Sequence, residues 1–152
     1  MTATTMFYRY LLNPTMRLLL RSPFHGVTSH NITILHFTGR KSGRKMSTPL
    51  SYTREGDTVR LLTNYTTHWW KNFRGSEAEV ELELRRSRHS GTARLLEGDS
   101  EDLRAGVRTF IAALPRDAAV YDLELDDNKQ LVETSLLEHV SDLVLVEITL
   151  NS

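Results

Sequence analysis

The chain has no cysteine, which excludes disulfides, cysteine-ligated zinc, iron–sulfur ligation and every thiol nucleophile. Acid is also missing where base is plentiful. Residues 1–54 carry eight Arg and Lys and no acidic residue, the first acid being Glu55. Residues 95–152 reverse the balance, with four basic residues and thirteen acidic ones. The formal net charge of zero therefore hides two oppositely charged ends, and the basic end points to a local anion or to an acidic surface facing it. Long apolar runs are absent as well. Leu11, Leu12 and Leu18 to Leu20 are interrupted by Asn13, Pro14 and Arg17, so nothing here spans a bilayer. No small-residue cleavage site follows that stretch, which argues against a secretory signal and for a cytoplasmic protein. Arg9, Arg17 and Arg21 beside Phe7, Tyr8 and the leucines leave two readings of residues 1–21. They form a helix on the protein's own core, or a basic amphipathic helix making peripheral membrane contact.

At 152 residues, 39% hydrophobic and 25% charged, the chain has the size and composition of one soluble domain without low-complexity segments. Asn13-Pro14 starts a helix that ends before Ser22-Pro23, within an N-terminal helical arm spanning residues 1–30. The period then shortens. Asn31 to Thr38 reads as a strand apolar on both faces. Met46 to Thr53 alternates, and Pro49 restricts that strand to an edge or a bulge. Glu55-Gly56-Asp57 turns into a third strand, Thr58 to Thr63. A short helix from about Thr67 to Arg74 is closed by Gly75. Val80, Leu82 and Leu84 alternate with Glu79, Glu81 and Glu83 in a half-buried strand, which Ser90 to Glu97 pairs as a hairpin.

Asp99 or Ser100 caps a helix whose Leu103, Val107, Phe110, Ile111 and Leu114 share a face, stopped by Pro115. Residues 116–140 carry little signal beyond one helical turn near Leu136, and Asp142 to Leu150 forms the last strand. About six antiparallel strands joined by hairpin-length turns exclude a doubly wound α/β fold. They predict an α+β chain, mainly β, curled into a single-domain small barrel. Residues 31–98 form its core, and residues 99–152 supply a helix, a loop and the closing strand.

Two segments stand out chemically. Thr38-Gly39-Arg40-Lys41-Ser42-Gly43-Arg44-Lys45 joins two strands and places four cations in six positions, with two glycines that allow close main-chain approach. Turn amides with Arg and Lys offer the charge and donor forks that a phosphate or carboxylate requires. The glycine spacing is too short for a Walker A loop, and a strand follows it instead of a helix. The second segment, Thr67 to Arg74, contains both tryptophans. At helical spacing Trp69 shares a stripe with Phe73, and Trp70 shares one with Arg74. One tryptophan is expected in the core and the other beside a planar ligand.

Other signals are negative. The six histidines show no metal-ligand spacing, and neither His-Glu-x-x-His nor Gly-x-Ser-x-Gly occurs, so no metal is expected. Arg85, Arg86 and Arg88 lack interleaved aromatics and fit a hairpin turn better than a nucleic-acid surface.

Taken together, Thr38-Gly39-Arg40-Lys41-Ser42-Gly43, Thr48-Pro49-Leu50, Tyr52, the Arg-Glu-Gly-Asp turn, and Trp70 followed by Asn72 resemble the deazaflavin-dependent nitroreductase family. The resemblance covers residues 32 to about 98 well. It implies a split β-barrel related to FMN-binding proteins of the pyridoxamine-phosphate-oxidase type. It also implies 8-hydroxy-5-deazaflavin (factor 420) as cofactor, with FMN as the alternative.

By position, Arg40, Lys41, Ser42, Gly43, Arg44 and Lys45 would hold the phosphate and glutamyl tail. Thr48, Pro49 and Leu50 would lie against the ring, Thr63 and Asn64 would hydrogen-bond it, and Trp70, Asn72 and Arg74 would close one side. The implied reaction is hydride transfer to a small-molecule acceptor, a quinone, nitroaromatic or activated enone. Tyr52, Tyr65 and Tyr121 are the candidate proton donors. Two further readings stay open: a flavin- or haem-binding carrier without turnover, and an interaction barrel without cofactor. Related barrels occur as monomers or homodimers.

Overall fold

A computed structural model describes residues 31–151, and the expected N-terminal helical arm of residues 1–30, with its alternative of a membrane-contacting helix in residues 1–21, lies outside them. Seven antiparallel strands form one sheet: β1 (Ile32–Thr38), β2 (Lys45–Ser51), β3 (Thr53–Glu55), β4 (Thr58–Asn64), β5 (Ala78–Leu84), β6 (Ser87–Glu97) and β7 (Leu143–Leu150). Their order is β2-β1-β5-β6-β7-β4-β3. The two outermost strands are therefore consecutive in the chain. β2 pairs with β1 from Ile32↔Ser51 to Thr38↔Lys45, and β3 pairs with β4 from Thr53↔Arg60 to Glu55↔Thr58. Residues 45–55 thus change partners at Tyr52, whose amide donates to the Asn31 carbonyl at 2.9 Å. This bend curls the sheet into a split barrel. It also accounts for the difference from the expected six strands, since one continuous alternating stretch supplies two. Pro49 lies on the outer strand β2, where its missing N–H costs no ladder bond.

Alternation along the strands sorts side chains into two cores. Leu35, Val59, Leu61, Val80, Leu82, Val144, Val146 and Ile148 fill the barrel with Trp69, Trp70 and Phe73. Leu62, Leu143 and Leu145 point outward under two helices, α1 (Glu101–Ala113) and α2 (Glu133–His139). The Ser100 hydroxyl accepts the Leu103 amide at 3.1 Å and starts α1, with Glu101 and Asp102 in its first turn. Leu103, Val107, Phe110 and Ile111 are fully buried on its inner face.

Between α1 and α2 the chain makes a 3-10 turn, Pro115–Tyr121, and a lone bridge, Leu125↔Leu131. The Arg-rich segment is a hairpin turn, as its composition suggested, with Arg85 and Arg86 both at positive φ between β5 and β6. β6 consequently begins at Ser87, three residues earlier than expected. Among the described residues no helix is long and apolar enough to cross a membrane.

Candidate functional site: a braced cationic turn beside the barrel split

The turn between β1 and β2 is closed by its own backbone. The Gly39 amide donates to the Arg44 carbonyl at 2.7 Å, and the Gly43 amide donates to the Gly39 carbonyl at 2.9 Å. Gly43 sits at φ 68°, where a side chain would be strained. The Ser42 hydroxyl accepts the Arg44 amide at 3.2 Å. Among the described residues, no protein acceptor meets the amides of Lys41 and Ser42, and none of Arg40, Lys41, Arg44 and Lys45 forms an ion pair. The N-terminal 30 residues contain no acid that could pair with them. Four like charges and two open amides on a closed turn form a ready cradle for an anion.

The tryptophan segment holds this turn in place. Residues Trp69–Phe73 form a 3-10 helix, shorter and tighter than the expected helix from Thr67 to Arg74. The expected side-chain stripes survive: the Trp69 and Phe73 rings lie 6.3 Å apart, and the Arg74 guanidinium lies 5.0 Å from the Trp70 ring. Asn72 bridges the two segments, accepting the Arg40 amide at 2.8 Å and donating to the Trp69 carbonyl at 2.9 Å. The Arg40 guanidinium donates to the Arg74 carbonyl and packs on Gly75, whose φ of 92° lets the chain turn away there. Arg40 therefore braces the turn and leaves Lys41, Arg44 and Lys45 as its outward charges.

Trp70 departs from expectation. Both tryptophans are buried, and Trp70 has no exposed surface, so it stiffens the wall instead of facing a ligand. It is enclosed by the Tyr65 ring at 5.2 Å edge-on, by Lys71 and by Arg74. Sequence reasoning missed Glu97, at the end of β6. Its carboxylate takes both Arg74 nitrogens at 2.8 Å and accepts the Tyr65 hydroxyl at 3.3 Å. The Arg74 bond holds the Glu97 carboxyl below the usual carboxylate range. Burial, with the Glu97 charge next, pushes the Tyr65 phenol above its usual value. Glu97 lies 23 residues from Arg74 in sequence, and no local spacing signals the pair.

The remaining expected residues flank the split in the barrel. Thr48, Pro49 and Leu50 lie on β2, and Thr63 and Asn64 end β4. Thr48 is buried with its hydroxyl unpartnered. The Thr63 hydroxyl shares a hydrogen bond with Thr67 at 2.6 Å, and the Asn64 side chain accepts from the Thr66 amide and hydroxyl.

Two of the three tyrosines are elsewhere. The Tyr121 hydroxyl donates to the Leu62 carbonyl at 2.7 Å, and burial drives its phenol upward. Tyr52 is buried at the barrel end away from the turn, beside Thr53 and Leu84. Tyr65 alone is exposed near the turn.

No curated protein matches this chain in sequence. Its fold resembles a structure described as a domain-swapped dimer, with TM-score 0.55 and 22% identity over 90% of this chain and 94% of that one. It also resembles an F420-H2 dependent reductase, with TM-score 0.51 and 19% identity over 78% of this chain and 93% of that one. A third is a Clostridium acetobutylicum protein of the pyridoxinephosphate oxidase family, related to general stress protein 26 of B. subtilis. It gives TM-score 0.53 and 15% identity over 87% of this chain and 83% of that one. These likenesses confirm the split barrel. The F420H(2)-dependent quinone reductase model matches residues 22–132, nearly three-quarters of the chain. With the cationic turn and the split it flanks, that match makes this chain a member of the F420H(2)-dependent quinone reductase family, an oxidoreductase family that uses reduced deazaflavin.

Proposed function

We propose that this protein reduces a quinone, nitroaromatic or activated enone at the expense of reduced 8-hydroxy-5-deazaflavin. The observation that carries the reading is the Arg40–Lys45 turn, with its unpaired cations and open amides held rigid by Asn72. A phosphate with a polycarboxylate tail satisfies both charge and donors there. Bound in reduced form, such a cofactor supplies a hydride from carbon, so the protein needs no metal and no acid–base dyad of its own.

In this reading the Lys41, Arg44 and Lys45 side chains and the Lys41 and Ser42 amides bind the anionic tail, while Arg40 fixes the turn and Gly43 lets it close. Thr48, Pro49 and Leu50 on one side of the split, and Thr63 and Asn64 on the other, orient the planar ring. The buried Thr48 hydroxyl has no partner among the described residues. Trp70, Asn72 and Arg74 support the wall and exclude water without touching the ring. Tyr65 retains its proton at neutral pH and can hydrogen-bond the acceptor's oxygen once its bond to Glu97 is exchanged.

The test is anaerobic mixing of the purified protein with reduced deazaflavin and a soluble menaquinone or nitroaromatic analogue, followed by absorbance. Acceptor-dependent oxidation above the protein-free rate is expected. Absence of any acceleration across both acceptor classes would overturn the proposed reaction.

A further inference from the structure

The last residue of β6 brings a carboxylate to the barrel end where β4 finishes. Glu97 pairs with Val144 on β7, and Val144 pairs in turn with Thr63 on β4, so the three form one row across the sheet. Residues paired across a sheet share a face. Val144 belongs to the barrel core, so Glu97 stands on the same face as Thr63, two strands or roughly 10 Å away.

Three contacts define what this carboxylate does. It accepts from Nε and Nη2 of Arg74, each at 2.8 Å, in a charge-assisted fork. It also accepts the Tyr65 hydroxyl, at the longer distance of 3.3 Å. Arg74 and Tyr65 both pack on the buried Trp70 ring, at 5.0 and 5.2 Å from its centre. Glu97 is therefore the common partner of two side chains that cap one aromatic ring.

The bond lengths decide which contact yields. Two short ionic bonds keep Glu97 on Arg74, whereas the long bond to Tyr65 is the one an incoming oxygen would replace. Tyr65 is 38% exposed, so its ring reaches solvent while its hydroxyl is held. Folding stability does not account for the arrangement, because an ion pair as open as Arg74–Glu97 adds little to it. Without Glu97 the exposed phenol would turn among rotamers, and each acceptor would have to order it.

We propose that Glu97 is a positioning residue for the reduction: anchored by Arg74, it holds the Tyr65 hydroxyl ready to donate a hydrogen bond to the acceptor's oxygen. The acceptor's part in this scheme rests on the proposed reaction; the hold of Glu97 on Tyr65 does not. Burial and the Glu97 charge raise the Tyr65 phenol, while the Gly98 amide and the Arg74 charge lower it. From the adjoining segments, Lys71 lies over Trp70, and Asp142 meets Tyr65 through its backbone carbonyl. Loss of the Glu97 charge therefore lowers the pH at which Tyr65 ionises.

The test combines two measurements on the full-length chain. Tyrosine ring-carbon shifts of the cofactor-free protein, assigned with Tyr65→Phe, follow the ionisation of Tyr65. Anaerobic turnover with reduced deazaflavin and a menaquinone analogue gives kcat across pH. Glu97→Gln keeps the shape of the side chain and removes its charge. It should move the Tyr65 titration down by roughly half a pH unit or more, and carry the alkaline fall in kcat down with it. Near neutral pH it should lower kcat about ten-fold, yet change kcat less than two-fold in a Tyr65→Phe background, because it acts through that hydroxyl. An unmoved Tyr65 titration would overturn the hold of Glu97 on Tyr65, whatever the turnover. Equal losses in both backgrounds would reduce Glu97 to a support of the wall and overturn its positioning role. No turnover by the parent with a Tyr65 titration that does move would overturn the reaction and the role in it, and leave the hold standing.

Discussion

Asn72 accepts the backbone amide of Arg40 across 32 residues, at 2.8 Å, while its own amide donates to Trp69. One carboxamide thus ties the cationic turn to the aromatic segment, beside the bond from the Arg40 guanidinium to the Arg74 carbonyl. Asn72→Ala removes both bonds and is expected to lower stability by about 1–2 kcal/mol. Cofactor affinity should fall at the same time, although the residue is not placed in contact with the ligand. Chemical denaturation paired with a binding titration measures both, and unchanged affinity would separate the clamp from the site.

Tyr121 is a structural tie in this account. Tyr121→Phe leaves the buried Leu62 carbonyl without its donor, which should cost about 1–3 kcal/mol of stability. Turnover per folded molecule should stay near that of the parent. A large loss of turnover with stability intact would return Tyr121 to the chemistry.

The barrel wall was readable in sequence wherever one face is dry and the other wet. Val80, Leu82 and Leu84 alternate because their strand borders the interior, and Ser100 announces α1 because capping is local. The bend at Tyr52 was not readable. The period of two runs straight through it, and only the partner strand changes. Residues 116–140 were opaque for a related reason. Long-range single contacts hold them, such as Tyr121 to the Leu62 carbonyl and the Glu124 amide to the Ser135 hydroxyl, and these leave no periodic trace. The cationic turn was legible from composition alone, whereas the Glu97–Arg74 pair that supports its neighbour was not.

Gly91 on β6 lies opposite Leu150 on β7. An added Cβ there would lie 2.7 Å from the Thr149 carbonyl oxygen and 2.8 Å from Ile148 Cγ2. Backbone cannot yield as a side-chain end can, so Gly91→Ala should destabilise by about 1–3 kcal/mol, read from a denaturant midpoint. A midpoint unchanged within error would show that the two strands part easily.

Asp117 gives the fold a pH dependence of definite sign. Burial raises its carboxyl above the ordinary value, and Arg116, at 3.8 Å, only partly opposes this. The folded state therefore favours the neutral acid. That contribution is fully present below the unfolded value of about 3.9 and is lost as pH rises through the higher folded value. Asp117→Asn should then be more stable than the parent at pH 7, with the difference shrinking as pH falls toward 4. Thermal melts of both proteins across pH 4–8 check the trend, and a constant difference would contradict it.

The central claim is that the turn from Arg40 to Lys45 holds the anionic tail of a deazaflavin. Fluorescence titration with deazaflavin and, separately, with FMN tests it most directly, run on the parent chain and on Lys41→Ala. Micromolar binding of deazaflavin in preference to FMN is expected, weakened by about 1.5–3 kcal/mol when the Lys41 charge is removed. Equal binding by the variant, or a preference for FMN, would contradict it.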